Sequence, residues 1–563
     1  MLDADGRAEE VHPLSRILVL GGYGGFGARL ARRLAARGHT VLVAGRSLTK
    51  ARAFCAELER AEPVAADRNG DIGPLLAQLE PDLLIDATGP FQDSDVRVPR
   101  ACIRASIPYV DLADARAFVA GIGALRAEAS AAGVAIIAGA SSVPALSGAA
   151  ARRLAAGLDR VCTIEIAISA AKRATLGASV VAAILSYAGR PIRLWRGQRW
   201  ERAFGWQELR RDDFVLGDGS GPNRRWLALA DVPDLDLLPE NLPGRPSVVF
   251  RAGNESALQV VALWLLTWPV RWFGISIGKL PPALSGLQRL MQSSSTDCSA
   301  MIVRMKGEAS GRFLERQWTL VARDGDGIEI PTLAAVLVAE DILAGRVVSG
   351  ARSADRLLSL AAFEPLFSAL SLQHEVRERL LPPPLYARVM GPRFGALPAA
   401  VREMHWLCGD GGASGQANVT RGRNPLARLV AVLMRFPPAG SHPLHVSFVE
   451  RDGVERWTRH FGDRKFSSHL SEQAGQLTER FGAMRFVFDL PSDEHGLAMH
   501  ISRWSVFGLP LPLALAPRTS AREWEEDSRF HFDVPISLPL IGLIVHYAGW
   551  LQREGRGVTP KSV

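Results

Sequence analysis

Residues 17–27 read Ile-Leu-Val-Leu-Gly-Gly-Tyr-Gly-Gly-Phe-Gly, a short apolar run that enters a glycine cluster. A helical pattern leaves the cluster. Phe26, Leu30 and Leu34 share one face of a segment from Gly25 to Arg37, and Gly38 stops it. Gly22, Gly24 and Gly27 fit G-x-G-x-x-G. In that motif the first glycine permits a tight turn, the second lets a pyrophosphate approach the backbone, and the third lets the helix pack on the strand. The N–H groups at the helix start carry the positive end of its dipole and suit a phosphate. Strand before and helix after are the context this motif requires. The reading is a dinucleotide loop formed by Gly22, Tyr23, Gly24, Gly25, Phe26 and Gly27. The alternative is a glycine-rich turn without a ligand.

The β-α alternation continues. Thr40–Ala44 reads as a second strand, and Ser47 caps a helix that runs to about Glu59. Val64–Ala66, Leu83–Asp86, Tyr109–Asp111 and Ala135–Ala138 are short apolar strands, and Ser147–Leu158 is a further helix. This pattern predicts an α/β fold: a Rossmann-like, doubly wound parallel sheet with helices on both faces. Where an NAD site places Asp or Glu after the second strand, this chain has Arg46 followed by Ser47. An arginine there suits a 2′-phosphate and can stack on adenine, so the expected cofactor is NADP, with NAD second. The alternative makes Arg46 a solvated loop residue. Asp67, after the third strand, reads as an acceptor for the adenine amino group or as a turn or cap residue. Thr88, Gly89 and Pro90 follow the fourth strand and are cofactor candidates by position.

At 563 residues the chain has room for several domains. Its 66 basic residues include only six lysines and are spread along the sequence, so the net charge of +8 does not form a nucleic-acid arm. An anionic cofactor or lipid surface fits that charge better. Cys55, Cys102, Cys162, Cys298 and Cys408 form no C-x-x-C pair, which argues against a disulfide framework or a cysteine zinc site and for a reducing compartment. The histidines form no H-E-x-x-H, and His442 and His445 face opposite ways on a strand, so no metal is expected. Met1–Ser15 has no apolar core, so no secretory signal is expected. The expected location is cytoplasmic, with peripheral contact at the inner face of the membrane. No G-x-S-x-G occurs, and Ser141 and Ser142 lack base and acid partners. Asp111 and Asp114, with Tyr109 nearby, stand past a strand end beside the nicotinamide position. Either acid could relay a proton, but capping or strand-end packing is the favoured reading, and no catalytic residue is assigned.

The glycine loop, Ala44-Gly45-Arg46, Ala87-Thr88-Gly89-Pro90-Phe91, Tyr109-Val110-Asp111-Leu112 and Gly139-Ala140-Ser141-Ser142-Val143-Pro144 resemble the saccharopine dehydrogenase-like oxidoreductases over about residues 15–370. The resemblance implies an amino-terminal Rossmann-like domain that binds NADP and a hydride-transfer reaction. The family commonly has a Gly-Phe-Asp-Ser-Val-Pro type of run, and here Ala140 and Ser141 replace its aromatic and acidic residues. Some relatives are enoyl reductases, so the expected activity is reduction of a hydrophobic or lipid-linked substrate. The alternative is a non-catalytic nucleotide-binding, membrane-associated lipid-binding or scaffold protein.

The expected organisation is a flexible start (1–14), a Rossmann domain (15–158), an α+β substrate and dimerisation domain (159–372), a linker (373–394), a β-rich domain (395–553) and a flexible tail (554–563). Pro382-Pro383-Pro384 marks the linker. Val161–Ser169 reads as a strand. Ala257–Gly278 is the most apolar stretch, with Trp264, Trp268 and Trp272 on one helix face. It reads as a buried helix or pocket wall, or as an interfacial membrane helix; Pro269 and Arg271 argue against a span. Trp318–Val321 and Ile328–Ile330, around Asp324-Gly325-Asp326-Gly327, read as a hairpin and not as a calcium loop. Thr332–Ala344 reads as a helix stopped by Gly345. His445–Glu450, Glu455–Phe461, Met484–Leu490, Leu497–Trp504 and Arg529–Ile536 read as strands of a curved sheet or barrel around an apolar cavity. Glu455–Phe461, Gly508–Pro512 and Phe532–Leu540 resemble an uncharacterised bacterial domain (DUF4166-like) often fused to such chains. The expected partners are an apolar small molecule, a second copy in a homodimer and a membrane surface at 257–278, with no nucleic acid.

Overall fold

A computed structural model describes residues 15–171, 178–274 and 297–553. The expectations for 1–14, 554–563 and 275–278 lie outside these residues. Strands β1 (Arg16–Leu20), β2 (Thr40–Gly45), β3 (Ala61–Ala65), β4 (Leu83–Asp86), β5 (Tyr109–Asp111) and β6 (Ala135–Ala138) form a parallel sheet in the order β3-β2-β1-β4-β5-β6. The central strands are buried on both faces, which is why they read as continuous apolar runs. The order reverses direction between β1 and β4. In such sheets that reversal opens a crevice at the carboxyl ends of the strands.

A seventh strand, Gly350–Ser353, pairs in parallel with β6. The helix before it, Ile330–Leu343, packs on helix α1 (Gly25–Ala36), and Glu329 meets Arg29 at 3.0 Å and Arg33 at 2.9 Å. The chain therefore leaves the first sheet after the helix Ser147–Ala155 and returns to it from residue 329. Part of the stretch expected in the second domain thus belongs to the first.

Arg160–Ala170 anchors a second seven-stranded sheet, between Ser247–Asn254 and Ser299–Ala309. The expected hairpin at 318–330 does not form. Arg312–Ala322 pairs with Ser299–Ala309 and Leu372–Leu380 instead. Residues Asp326–Ile328 make a single tight turn, and Pro331 sits in the first turn of the next helix, where its missing N–H has no intrahelical bond to lose. Leu372–Leu380, of which 373–380 were expected in the linker, is the outer strand of this sheet. Its charged side chains suit an unpaired edge. The separating segment shrinks to about 381–384, because Leu385, Tyr386 and Met390 already lie in the next core.

Helix Ala257–Phe273 has 17 residues, spans about 25 Å, and ends at Gly274 in the left-handed region. No described helix is long and apolar enough to cross a membrane. Val260, Thr267 and Val270 are buried, whereas Leu258, Leu265, Trp272 and Phe273 are exposed. The buried-helix reading therefore holds for one face only. Trp264, Trp268 and Trp272 pack in series, with ring centroids 5.9 and 5.1 Å apart. Arg271 is accommodated by Gln207 Oε1 at 2.9 Å and by the Phe204 ring.

The carboxyl-terminal sheet has twelve strands. Ten of them close into an antiparallel barrel, because Met484–Asp489 pairs with Gly496–Val506 as well as with Gln476–Phe481. Charge joins this barrel to the second sheet. Glu165 lies 3.2–3.6 Å from Arg210, Arg451 and Arg304. Burial alone would raise the Glu165 carboxyl, but Arg451, Arg210, Arg251 and Arg304 hold it down at about 2.

Candidate dinucleotide site

The glycine loop joins β1 to α1 and lies over the crevice. A Cβ on Gly22 would stand 2.9 Å from the Val19 carbonyl oxygen, and one on Gly24 3.0 Å from that of Gly21. A Cβ on Gly27 would strike the Gly21 carbonyl itself. The first and third motif positions are therefore fixed by close packing. Gly25, by contrast, faces open space. Gly24 is the N-cap of α1 and no side chain caps this end, so the first-turn N–H groups point at the crevice without intrahelical partners. This cradle fits a pyrophosphate.

Tyr23 crosses to β2. Its ring covers Gly45, where an added Cβ would come within 2.6 Å of the ring, and its hydroxyl accepts the Ser47 N–H at 2.9 Å. Ser47 Oγ caps the helix α2 (Leu48–Cys55) by accepting from Lys50 N. Arg46 beside it is exposed and has no ion-pair partner among the described residues, with no carboxylate at the end of β2. Phe26 is half-buried at the start of α1. Asp67 is exposed and accepts the Asn69 N–H at 3.0 Å, which makes it a turn residue.

At the end of β4, Thr88 is turned inward. Its N–H and hydroxyl both donate to Asp86 Oδ1. Asp86 is fully buried and also accepts from Arg68 Nε at 2.6 Å, while Arg68 lies over the Phe91 ring. Arg68 and Asp86 thus brace the turn through Thr88, Gly89 and Pro90. No local motif marks Arg68, because its partner is fixed by sheet order. The loops after β1 and β4 touch, since a Cβ on Gly21 would stand 3.0 Å from Thr88 Cγ2. Ser179, on the helix Ala178–Tyr187, comes within 4.0 Å of a Cβ placed on Gly89, so the second unit covers this end of the crevice.

Asp111 is fully buried. Its Oδ1 accepts N–H groups from Ala113 at 2.9 Å and Gly139 at 2.8 Å, and its Oδ2 has no partner. Burial, helped by the Asp86 charge, pushes its carboxyl up to about 7 against those N–H bonds. Asp114 is partly exposed and accepts from Gln92 Nε2 at 3.3 Å; burial raises its carboxyl too. Tyr187 was not singled out from the sequence. Its hydroxyl is pushed upward by burial and then by the charges of Asp114 and Asp231, so it stays protonated. Tyr187 also packs beside Trp264 and Val270 of the apolar helix. The crevice therefore presents a phosphate cradle and, at the end of β2, the exposed guanidinium of Arg46, and the helix Ala178–Tyr187 covers the end beside Gly89. Among the described residues, no cluster of three metal-ligating side chains occurs.

Residues 17–137 match the family model of the saccharopine dehydrogenase NADP binding domain, and residues 397–551 match a domain of unknown function (DUF4166). Among solved structures, the chain is similar to apo histidine-tagged saccharopine dehydrogenase (L-Glu forming) from Saccharomyces cerevisiae, at 14% identity. That match covers 64% of this chain and 100% of that one, with a TM-score of 0.47. It is also similar to the homospermidine synthase of Legionella pneumophila in complex with NAD, at 11% identity, covering 65% and 91%, with a TM-score of 0.45. An amine dehydrogenase from Mycobacterium smegmatis matches at 13% identity over 62% and 97%, with a TM-score of 0.31. No curated protein matches the chain.

Proposed function

We propose that this chain, which carries a saccharopine dehydrogenase-type NADP-binding domain and is an NAD(P)-dependent oxidoreductase, prefers NADP and reduces a hydrophobic or lipid-linked substrate. The observation that carries the cofactor preference is Arg46, exposed at the end of β2 with no ion-pair partner among the described residues and no competing acid. The first-turn N–H groups of α1 would hold the pyrophosphate, and Arg46 the 2′-phosphate. When bound, the dinucleotide supplies the hydride.

The protein's part is orientation. Burial and the charges of Asp114 and Asp231 make the Tyr187 hydroxyl a weaker acid than a free phenol, so its part would be to hold a substrate oxygen by a hydrogen bond and not to deliver the proton. Asp111 is not suited to deliver it either, because one oxygen is tied to two backbone N–H groups and the whole carboxyl is sealed. The apolar helix Ala257–Phe273 packs against the carboxyl-terminal end of the Tyr187 helix and offers an apolar wall for the substrate. Its exposed Leu258, Leu265, Trp272 and Phe273 would touch a lipid surface.

The test is a fluorescence titration of the purified protein with NADPH and NADH. NADPH should bind more tightly, and Arg46→Asp should reverse the ratio of dissociation constants; an unchanged ratio refutes the assignment. NADPH oxidation is then measured with unsaturated acyl substrates. Tyr187→Phe should lower kcat/KM about two- to tenfold while leaving the NADPH dissociation constant in place. Binding without turnover of any unsaturated lipid would instead favour a non-catalytic nucleotide-binding role.

A further inference from the structure

The carboxyl-terminal barrel has two unlike ends. One end is closed by the short helices Leu385–Met390 and Ala399–His405, which pack against five strands. There the fully buried His405 ring stacks on Tyr386 at 3.7 Å, and its Nε2 meets Glu523 at 2.7 Å. The turns at this end carry Asp452, Asp493, Glu494, Glu526 and Asp527.

The opposite end is covered in part by the helix Pro425–Leu433, from which Val430, with Met434 and Phe436 just after it, lines the barrel interior. This end is formed by the segment 422–439, the turns 462–463, 482–483 and 539–541, and the loop 507–520. Strand register places all of these together, since each joins the same ends of adjacent strands. Large apolar side chains stand exposed across this rim, among them Leu429, Leu433, Phe507, Leu509, Leu513 and Leu540. Arg423, Arg428, Arg435, Arg464 and Lys465 are also exposed there, with no carboxylate partner among the described residues. Asp463 is the one acid in these rim segments.

Between the two ends the barrel is not filled. A cavity of about 270 Å³ runs along Phe466, Phe486, Met499, Phe530 and Phe532, and reaches the rim at Val534 and Ile536, which are half-exposed. Its wall holds two polar pairs that are already matched. Arg459 meets Glu479 at 3.8 Å and Ser468 at 3.0 Å, and Glu523 meets His405. Eight-stranded barrels already have room for one small ligand, and a ten-stranded ring is wider. An apolar cavity with a basic rim at one end selects a molecule that is apolar along its length and negative at one end.

We propose that this barrel binds one anionic amphiphile, a single long hydrocarbon chain ending in a carboxylate or phosphate, with the chain in the cavity and the head group among the rim arginines. The site is separate from the dinucleotide crevice and does not depend on the substrate proposed there. The cavity is the binding element, and the exposed apolar rim is its entrance.

The test is titration of the full-length protein with the fluorescent fatty acid cis-parinarate, followed by displacement with hexadecanoate, hexadecyl phosphate or hexadecanol. Saturable one-to-one binding is expected, displaced by either anion better than by hexadecanol, and the stronger of the two anions identifies the head group. Val534→Trp should abolish binding by filling the mouth. The surface pair Arg428→Glu and Arg435→Glu should weaken the anions by about tenfold and spare hexadecanol. NADPH titration of the same variants reports that the rest of the chain is folded. Absence of saturable binding, equal displacement by hexadecanol, or persistence of binding in both variants overturns the proposal. So does binding to anionic vesicles without uptake of the probe, which would make the rim a membrane-docking surface only.

Discussion

The hydroxyl of Tyr23 accepts the backbone N–H of Ser47 at 2.9 Å, which ties the glycine loop to the end of β2. This bond fixes the distance between the phosphate cradle and Arg46. Tyr23→Phe keeps the ring on Gly45 and removes only the bond, a loss of about 0.5–1.5 kcal/mol. The dissociation constant for NADPH should rise about two- to tenfold, read by nicotinamide fluorescence, with little change in Tm.

Gly27 and Gly25 are two residues apart and should respond oppositely to alanine. A Cβ at Gly27 meets the Gly21 carbonyl, a backbone atom that cannot swing away, whereas Gly25 faces open space. Gly27→Ala should cost about 1–3 kcal/mol in stability and abolish dinucleotide binding. Gly25→Ala should leave Tm unchanged. Equal effects in thermal unfolding would contradict the close helix-to-loop packing.

The buried Asp111 makes stability depend on pH. Its folded pKa is about 7 and its ordinary value 3.8, so between these values the folded state holds a proton that the unfolded chain has released. Its contribution is complete below about 4, falls as pH rises, and is lost above about 7. Asp111→Asn removes this slope. The unfolding free energy of the variant should gain on the parent between pH 4 and 8 in urea titrations at each pH.

Glu165 has the opposite sign. Its folded pKa of about 2 lies below the ordinary 4.5, so its contribution is present above about pH 4.5 and is lost as pH falls toward 2. Glu165→Gln takes the carboxylate from Arg210, whereas Arg304 keeps Asp212 at 3.0 Å and Arg451 keeps Asp410 at 2.8 Å. The expected loss at pH 7 is about 1.5–3 kcal/mol, and it should shrink in acid.

Trp272 and Phe273 lie on the uncovered face of their helix. Trp272→Ser with Phe273→Ser should lower co-sedimentation with anionic lipid vesicles severalfold. Stability should change by no more than about 0.5 kcal/mol, as for other exposed positions. Unchanged co-sedimentation would remove this helix from any membrane role.

The parallel strands were legible because burial on both faces leaves an unbroken apolar run. Leu83–Asp86, Tyr109–Asp111 and Ala135–Ala138 coincide with the runs read from the sequence. Leu372–Leu380 was not legible, because an edge strand carries charge on both faces and looks like a linker. Ile328–Ile330 alternates like a strand, but the following Pro331 favours a helix start. Arg68 reaches Asp86 through sheet order and Ser179 reaches the Gly89 turn through a helix of another unit, and neither leaves a local pattern. The sequence left a curved sheet and a barrel open, and the pairing of Met484–Asp489 with Gly496–Val506 makes it a barrel.

The return of Gly350–Ser353 to the side of β6 has a consequence for synthesis. The glycine loop leaves the ribosome early, but the strand that flanks its sheet and the helix that covers α1 come much later. At 5–20 residues per second, roughly 10–40 s separate β6 from its outer neighbour. During that interval the nascent chain shows an unpaired strand edge and the apolar face of α1. Nascent chains paused before residue 330 should therefore engage chaperones and resist productive release, although the nucleotide motif is already complete.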